Sequence, residues 1–235
     1  MIKKEKKGLF SIASTHLGRI EDTPLRTLQL LHSADIIIFE EAREGRKLLK
    51  QAKTTRKYYI YNEHKDNTVT DHMKESLLLG KHVLYVSDQG CPTLCDPGTD
   101  LVKLAHQTGA KIEVIPGPSS LTAALSACPF YLETHIFAGF LPRKRLDLEK
   151  KLKNYLTLGM PIVIFETPYR RNKLLETCQE IIKNKRKVYI ALDISGQDES
   201  YYYGSCSSVF KKVENLGKLN FVLIIEGTEK KSLKK

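Results

Sequence analysis

The sequence predicts a two-domain α/β protein, with an N-terminal domain on a mostly parallel sheet and a C-terminal domain of mixed α+β structure. In the first half, short apolar segments alternate with segments of helical length, which is the pattern of βαβ units. In the second half, three late strand-like segments have only one helical segment among them. We place the boundary in a Pro-Gly-Pro loop, so that the predicted domains are residues 1–116 and 117–235.

Each element of the first domain has a local signal. The strands are apolar runs rich in Ile, Val and Tyr, Thr23 before Pro24 is typical of a helix start, and Gly80 and Gly109 are expected helix stops. The predicted strands are 9–13, 35–39, 57–61, 83–86 and 111–115, and the predicted helices are 23–31, 46–51, 70–79 and 101–107.

The strands and helices of the second domain are predicted from the same kinds of local signal. Its strands are again short apolar runs, and residues 147–156 form a charged helix. The predicted strands are 135–137, 161–165, 187–192, 200–204 and 220–226, and the predicted helices are 121–127, 147–156, 170–183 and 209–215.

Composition narrows the function classes. The chain has 38 basic and 27 acidic residues, and a net charge of +11 is typical of a protein that contacts a polyanion. Its five cysteines, without zinc-like spacing, predict neither a disulfide framework nor a metal site and favour a reducing compartment. No apolar run reaches the ~18–20 residues that span a bilayer. No signal peptide is recognised, so we expect a cytoplasmic protein without a membrane partner.

Two polar loops each follow a predicted strand. The first has the sequence SDQGCP at residues 87–92, and the second has PGPSS at residues 116–120. Open α/β sheets hold polar ligands at their carboxyl edge, so these loops predict a small-molecule site. The phosphate loop GxxxxGK[ST], the dinucleotide turn GxGxxG and the nucleophile elbow GxSxG are all missing from the sequence.

Four ordered motifs carry a family resemblance. Residues 86–98, VSDQGCPTLCDPG, resemble the VSDAGTPxxSDPG signature of the bacterial 16S ribosomal RNA cytidine 2′-O-methyltransferases. These form the ribosomal small-subunit methyltransferase I family of the tetrapyrrole methylase superfamily. Residues 115–126 are similar to that family's IPGPSAxxAALxxSG, residues 137–144 to its FxGFLPRK and residues 165–170 to its FYESPHR. The resemblance extends from about residue 11 to residue 227.

The resemblance implies a tetrapyrrole methylase-like fold that binds S-adenosylmethionine between its two domains, and a homodimer. Asp88 is a candidate neighbour of the cofactor's sulfonium, because a cation favours a nearby carboxylate. The implied cofactor contacts are Ser87, Asp88, Gly90, Pro92, Ser119, Ser120, Ala123, Phe165, Glu166, Pro168 and Val222.

The implied reaction is methyl transfer to a ribose 2′-oxygen of small-subunit ribosomal RNA, presented as RNA or as the 30S subunit. A general base would assist, because a protonated ribose hydroxyl is a poor nucleophile. The candidates for this base, among which the sequence does not choose, are Glu40, Glu41, Glu63 and His64. The cations expected to bind RNA phosphates are Arg43, Arg143, Lys144 and Arg170.

The sequence departs from the family pattern in several segments. The first loop has Arg19 where the family has Asn, residues 39–43 read FEEAR instead of CEDTR, and residues 192–199 lack the Arg and Lys of RELTKxxEE. The sequence also stops at Lys235, without the helical C-terminal extension of many members. Two alternatives therefore stay open: a small-molecule, tetrapyrrole-type methyltransferase, and a catalytically degenerate protein that retains the cofactor site.

Overall fold

The computed structural model describes residues 7–63, 66–183 and 185–228, which fall into two compact units. The first unit ends at Ser119 and the second begins at Ser120. The predicted boundary between residues 116 and 117 falls in the loop of residues 116–119 that precedes this division. Among the described residues, no helix combines the length and apolar character that crossing a bilayer requires.

The first unit is a five-stranded sheet in the order β3-β2-β4-β1-β5, and every strand pairing in it is parallel. The strands are β1 (Leu9–Ala13), β2 (Ile36–Phe39), β3 (Tyr59–Ile60), β4 (His82–Val86) and β5 (Lys111–Ile115). The helices are α1 (Leu25–Ser33), α2 (Ala42–Gln51), α3 (Asn67–Leu78) and α4 (Thr99–Gln107), and a 3-10 turn covers Ile20–Asp22.

Helices cover both faces of this sheet, as parallel sheets require. Alternate residues of β1 and β4, such as Phe10 and Tyr85, pack with α3 and α4, where Met73 and Leu101 are fully buried. The intervening residues, such as Leu84, pack with α1 and α2 on the other face. The two-residue period of the strands therefore separates two cores.

The chain reverses its direction of travel across the sheet between β1 and β4. From β1 the chain passes over β4 to β2, whereas from β4 it passes over β1 to β5. The loops after these two neighbouring strands consequently leave in opposite directions. Ligands of open α/β sheets bind outside the carboxyl ends of the strands at such a switch point.

The second unit has a mixed sheet in the order β6-β7-β10-β8-β9, in which β6 and β7 are parallel and the other pairings are antiparallel. The strands are β6 (Ile136–Phe140), β7 (Ile162–Glu166), β8 (Lys187–Leu192), β9 (Ser200–Ser205) and β10 (Phe221–Ile225). The helices are α5 (Ser120–Ser126), α6 (Arg145–Thr157), α7 (Arg171–Ile182) and α8 (Cys206–Val213), and a 3-10 turn covers Pro168–Arg170.

The predicted elements are all present, but several of their ends differ. Helix α2 begins at Ala42, directly after the loop that follows β2, rather than at residue 46. Strand β6 continues to Phe140, because a bulge between Phe137 and Gly139 lets the pairing with β7 resume, and Gly139 accepts the φ of +58° found there. Helix α8 begins at Cys206, where the Ser205 hydroxyl caps its first turn.

Arg171, at the start of α7, closes the carboxyl end of α8. Its side chain is buried, and its guanidinium donates hydrogen bonds to the carbonyls of Val213 at 2.8 Å, Leu216 at 2.6 Å and Gly217 at 2.9 Å. Carbonyls at a helix end have no partner within the helix, and a cation there also interacts favourably with the helix dipole. The carbonyls of Val213 and Gly217 also accept from the amides of Leu216 and Leu219, so Arg171 adds side-chain hydrogen bonds to a turn that the backbone has already begun.

We expect Arg171→Met to destabilise the protein by about 2–4 kcal/mol, because the substitution removes a buried guanidinium and its three hydrogen bonds to backbone carbonyls. The measurement is urea unfolding followed by circular dichroism. Arg145→Met is the matched control, since the Arg145 side chain is half exposed and its ion pairs with Glu149 and Glu180 lie at the surface. An equal loss in the two variants would contradict the assigned role of Arg171.

Candidate functional site

The loops that follow β1 and β4 are joined at the switch point. The Thr15 amide donates to the Gly90 carbonyl at 2.9 Å, and the Gly90 amide donates to the His16 carbonyl at 3.0 Å. The buried Thr15 hydroxyl also lies 3.3 Å from the Asp88 carbonyl. Gly90 has a φ of +68°, and a Cβ there would lie 3.1 Å from a Leu17 methyl carbon. Glycine is therefore required where the two loops meet.

A third loop, after β5, joins the same edge of the sheet. The Cys91 thiol donates to the Pro118 carbonyl at 3.4 Å and accepts a hydrogen bond from the Ser14 hydroxyl at 3.3 Å. A Cβ on Gly117 would lie 2.8 Å from the Ser14 Cβ, so this loop also approaches too closely for a larger residue. The predicted contacts that the structure gathers here are Ser87, Asp88, Gly90, Pro92 and Ser119.

Three carboxylates border this junction. Asp88 accepts a hydrogen bond from the Glu41 amide at 3.0 Å, and its own amide lies 3.4 Å from Glu40 Oε2. Burial, with Asp96 and Asp88 nearby, raises the pKa of Glu40 to about 7. Burial also raises the pKa of Asp88 to about 6, and burial together with Asp88 raises the pKa of Asp96 to about 6. We name Glu40, Asp88 and Asp96 the acidic cluster.

The structure separates the four candidate bases. Glu40 lies in the acidic cluster, whereas the Glu41 side chain is exposed and only its backbone amide contacts Asp88. Glu63 is exposed and follows β3, the edge strand that lies furthest from β1 on that side of the sheet. His64 lies outside the described residues. Glu40 is therefore the described candidate that the structure places in the acidic cluster, and its pKa of about 7 suits proton transfer near neutral pH.

Several residues at the junction were not among the predicted site residues, and they include Thr15, His16 and Asp96. His16 is buried beside the Thr23 hydroxyl at 3.1 Å, and burial lowers its pKa. The segment around Asp96 has left-handed backbone at two non-glycine residues, Thr93 with φ +70° and Cys95 with φ +67°. The sequence could have predicted Thr15 and His16 as site residues, because they follow a predicted strand at the same sheet edge as residues 87–92.

In the second unit, the end of β7 is held by an internal ion pair. The Arg170 guanidinium lies 3.0 Å from buried Glu166 Oε2, and Glu166 Oε1 accepts a hydrogen bond from the Thr167 amide at 2.8 Å. Arg170 also donates to the carbonyls of Pro142 at 2.8 Å and Leu141 at 3.4 Å. Both predicted contact residues, Glu166 and Arg170, are thereby engaged in holding the backbone.

The remaining predicted contacts of the second unit lie near this strand end. Phe165 is opposite Val222 in the antiparallel register, and its ring meets the Phe137 ring at 5.0 Å between centroids. Pro168 begins the 3-10 turn. Ser120 and Ala123 lie in α5, which packs on the sheet face that carries Val222.

The predicted RNA-contacting cations differ in their surroundings. Arg143 and Lys144 are exposed in the segment between β6 and α6, while Arg170 is half buried. In the first unit, Arg43 is exposed near the start of α2, with its Nε 3.9 Å from Glu44. Three of the four cations are therefore open to solvent.

Comparisons with known proteins identify the family. Residues 10–209 match the family model described as Tetrapyrrole (Corrin/Porphyrin) Methylases. A protein of Thermotoga maritima named ribosomal RNA small subunit methyltransferase I is 33% identical over 92% of this chain and 98% of its own length. A protein of the same name from Leptospira borgpetersenii is 30% identical over 95% of this chain and 90% of its own length.

Solved structures confirm the predicted fold class. The uroporphyrin-III-C-methyltransferase of Thermus thermophilus has a TM-score of 0.60 with 17% identity, covering 94% of this chain and 93% of that one. The methyltransferase CobJ has a TM-score of 0.64 with 15% identity, covering 94% and 95%. The family-model match and the relative that is 33% identical show that the chain belongs to the tetrapyrrole methylase family, with relatives named ribosomal RNA small subunit methyltransferase I.

Proposed function

We propose that this protein is an S-adenosylmethionine-dependent methyltransferase that methylates a ribose 2′-oxygen of small-subunit ribosomal RNA. The observation that carries the proposal is the junction of three loops at the switch point, bordered by the acidic cluster, in a chain with relatives named for this class of enzyme. The excess of basic residues supports an RNA substrate. We also propose that it acts in the cytoplasm during ribosomal RNA processing, as a homodimer; its five cysteines, all within the described residues, are not in disulfides, which favours a reducing compartment.

The donor set of the junction fits S-adenosylmethionine. This cofactor carries a sulfonium cation, and carboxylates with raised pKa values gain from a positive neighbour because it favours their ionised form. The close backbone approach at Gly90 and Gly117 keeps side chains out of the junction. The residues that we propose hold the cofactor are Ser87, Asp88, Gly90, Pro92 and Ser119 in the first unit, and Ser120, Ala123, Phe165, Glu166, Pro168 and Val222 in the second.

We assign Glu40 as the general base. When bound, the cofactor supplies an activated methyl group, and the chain's own residues must orient the ribose and remove its 2′-hydroxyl proton. The Glu40 carboxylate accepts that proton, since its pKa of about 7 lies close to the working pH. The Asp88 amide, 3.4 Å from Glu40 Oε2, helps to hold the carboxylate in place.

The exposed cations bind the phosphates of the RNA. Arg43, Arg143 and Lys144 are free to contact phosphate oxygens, which positions the RNA without reading its sequence. Arg170 supports the segment that carries Arg143 and Lys144, since it binds the carbonyls directly before Arg143.

Asp88→Asn is expected to weaken S-adenosylmethionine binding about 10-fold, while the affinity for S-adenosylhomocysteine changes little. The reason is charge: only the former ligand carries the sulfonium cation that the carboxylate stabilises. Isothermal titration of both ligands measures the difference, and Asp71→Asn, at an exposed position of α3, is the control. An equal loss for the two ligands, or no loss, would place the sulfonium elsewhere.

Glu40→Gln is expected to slow methyl transfer to 30S subunits by about 10²–10⁴-fold, with S-adenosylhomocysteine binding retained. In the unaltered protein the rate should rise as the pH passes through about 7, because Glu40 then loses its proton. The pH–rate profile of the Glu40→Gln variant should lack this rise near pH 7. Glu75→Gln, on the exposed side of α3, serves as the control.

The assignment of Glu40 fails if Glu41→Gln or Glu63→Gln slows the reaction as much, or if the rate is flat from pH 6 to 8. Cofactor binding without transfer to RNA or to a tetrapyrrole would support the catalytically degenerate alternative. Transfer to a tetrapyrrole but not to 30S subunits would support the small-molecule alternative.

Asp96→Asn is expected to raise the Tm by about 2–4 °C at pH 8 and by less at pH 5. Because the folded-state pKa of Asp96 is raised to about 6, its ionised form destabilises the folded protein, and this loss develops as the pH rises from about 4 to 6. The amide cannot ionise and avoids the loss. Thermal melts at the two pH values test this, and a larger gain at pH 5 would contradict it.

A further inference from the structure

The second unit carries an exposed surface of aromatic and basic side chains beside the end of β7. Tyr169 is 77% exposed and Phe140 is 47% exposed, and both rings lie close to basic side chains in the sequence. We name this surface the Tyr169 patch, and its members are Phe140, Arg143, Lys144, Tyr169 and Lys218.

Hydrogen bonds from two consecutive arginines hold the three segments of the patch together. Arg170 binds the carbonyls of Leu141 and Pro142, between Phe140 and Arg143. Arg171 binds the carbonyl of Gly217, directly before Lys218. Tyr169 directly precedes these two arginines in the chain, so the hydrogen bonds of Arg170 and Arg171 hold its backbone next to both of the other segments. A surface that is already ordered loses little entropy when it binds a ligand.

The charges of the patch identify the class of ligand. Lys218 Nζ lies 4.4 Å from the centroid of the Tyr169 ring, a cation–π contact. Within the described ranges, no carboxylate forms an ion pair with Arg143, Lys144 or Lys218. An exposed ring beside unpaired cations suits a nucleotide, whose base stacks on the ring while its phosphate meets the cations. An apolar protein surface would leave these cations without partners.

The position of the patch connects it with the proposed reaction. The Phe140 ring lies 6.2 Å from the Phe165 ring, measured between centroids, and Phe165 belongs to the segment that we assign to the cofactor. Tyr169 follows that segment directly in the chain. The patch therefore adjoins the part of the proposed cofactor site that lies in the second unit.

We propose that Tyr169 stacks on an unpaired base of the substrate RNA, while Arg143, Lys144 and Lys218 contact the phosphates beside that base. The inference rests on the proposed RNA substrate and adds a subsite to it. Tyr169 acts here in binding, not in methyl transfer, so its loss affects KM for RNA and leaves kcat and cofactor binding in place.

The test compares Tyr169→Ala with Tyr169→Phe, which keeps the ring. We expect Tyr169→Ala to raise KM for 30S subunits about 5- to 100-fold with kcat little changed, and Tyr169→Phe to stay within about twofold of the unaltered protein. Tyr131→Ala is the matched control, since Tyr131 is a tyrosine of the same unit that is 80% exposed and lies outside the patch. Lys218→Ala should reduce the salt dependence of RNA binding, because one phosphate contact is lost.

Fluorescence anisotropy with a single-stranded RNA and with a duplex of the same length tests the stacking proposal separately from the proposed methyl transfer. Tyr169→Ala should weaken binding of the single strand more than binding of the duplex, whether or not methyl transfer occurs. An unaltered protein that binds the single strand with this Tyr169 dependence but methylates no 30S subunits would contradict the proposed function alone. Equal RNA affinity and KM for Tyr169→Ala and Tyr131→Ala would overturn the stacking proposal, as would an effect of Tyr169→Ala only on self-association.

Discussion

The parallel pairing of β1 with β4 is the constraint on which the candidate site depends. It places two strands side by side whose following segments leave in opposite directions, which is the switch point of the sheet. The reciprocal hydrogen bonds of Gly90 with Thr15 and His16 then join the two loops there. The loop after β5 and the turn after β2 reach the same edge because their strands are parallel neighbours of this central pair.

Sequence patterns predicted the strands well because burial on both sheet faces demands apolar runs, and Val83 to Val86 is fully buried as such a run implies. Loop motifs predicted the residues gathered at the sheet edge. The ends of α2 and β6 differed because a helix start and a bulge depend on the neighbouring segment. The distinct surroundings of Glu40 and Arg170 could not be predicted, since burial and contacts with other segments determine them.

The charge of the acidic cluster is opposite in sign to the net charge of the whole chain. The chain carries a net charge of +11, yet three carboxylates share a half-buried region at the loop junction. Desolvation and mutual repulsion both oppose ionisation there, which is an unfavourable arrangement for stability alone. Such clusters occur at functional sites because groups that titrate near neutral pH can exchange protons or receive a cation. The basic surface, in contrast, acts at long range on a polyanion.

The left-handed backbone at Thr93 and Cys95 has an evolutionary consequence. A β-branched residue is strained in this conformation, whereas glycine or asparagine adopts it readily. Substitution by glycine at either position would relieve the backbone strain, but it would also make the segment that carries Asp96 more flexible. Selection for a stable fold and selection for a rigid segment would therefore favour different residues. The hydrogen bond of 2.7 Å from the Tyr85 hydroxyl to the Pro97 carbonyl anchors the far end of this segment. With that anchor in place, mutational tolerance is expected to rise toward Leu94, whose side chain is exposed.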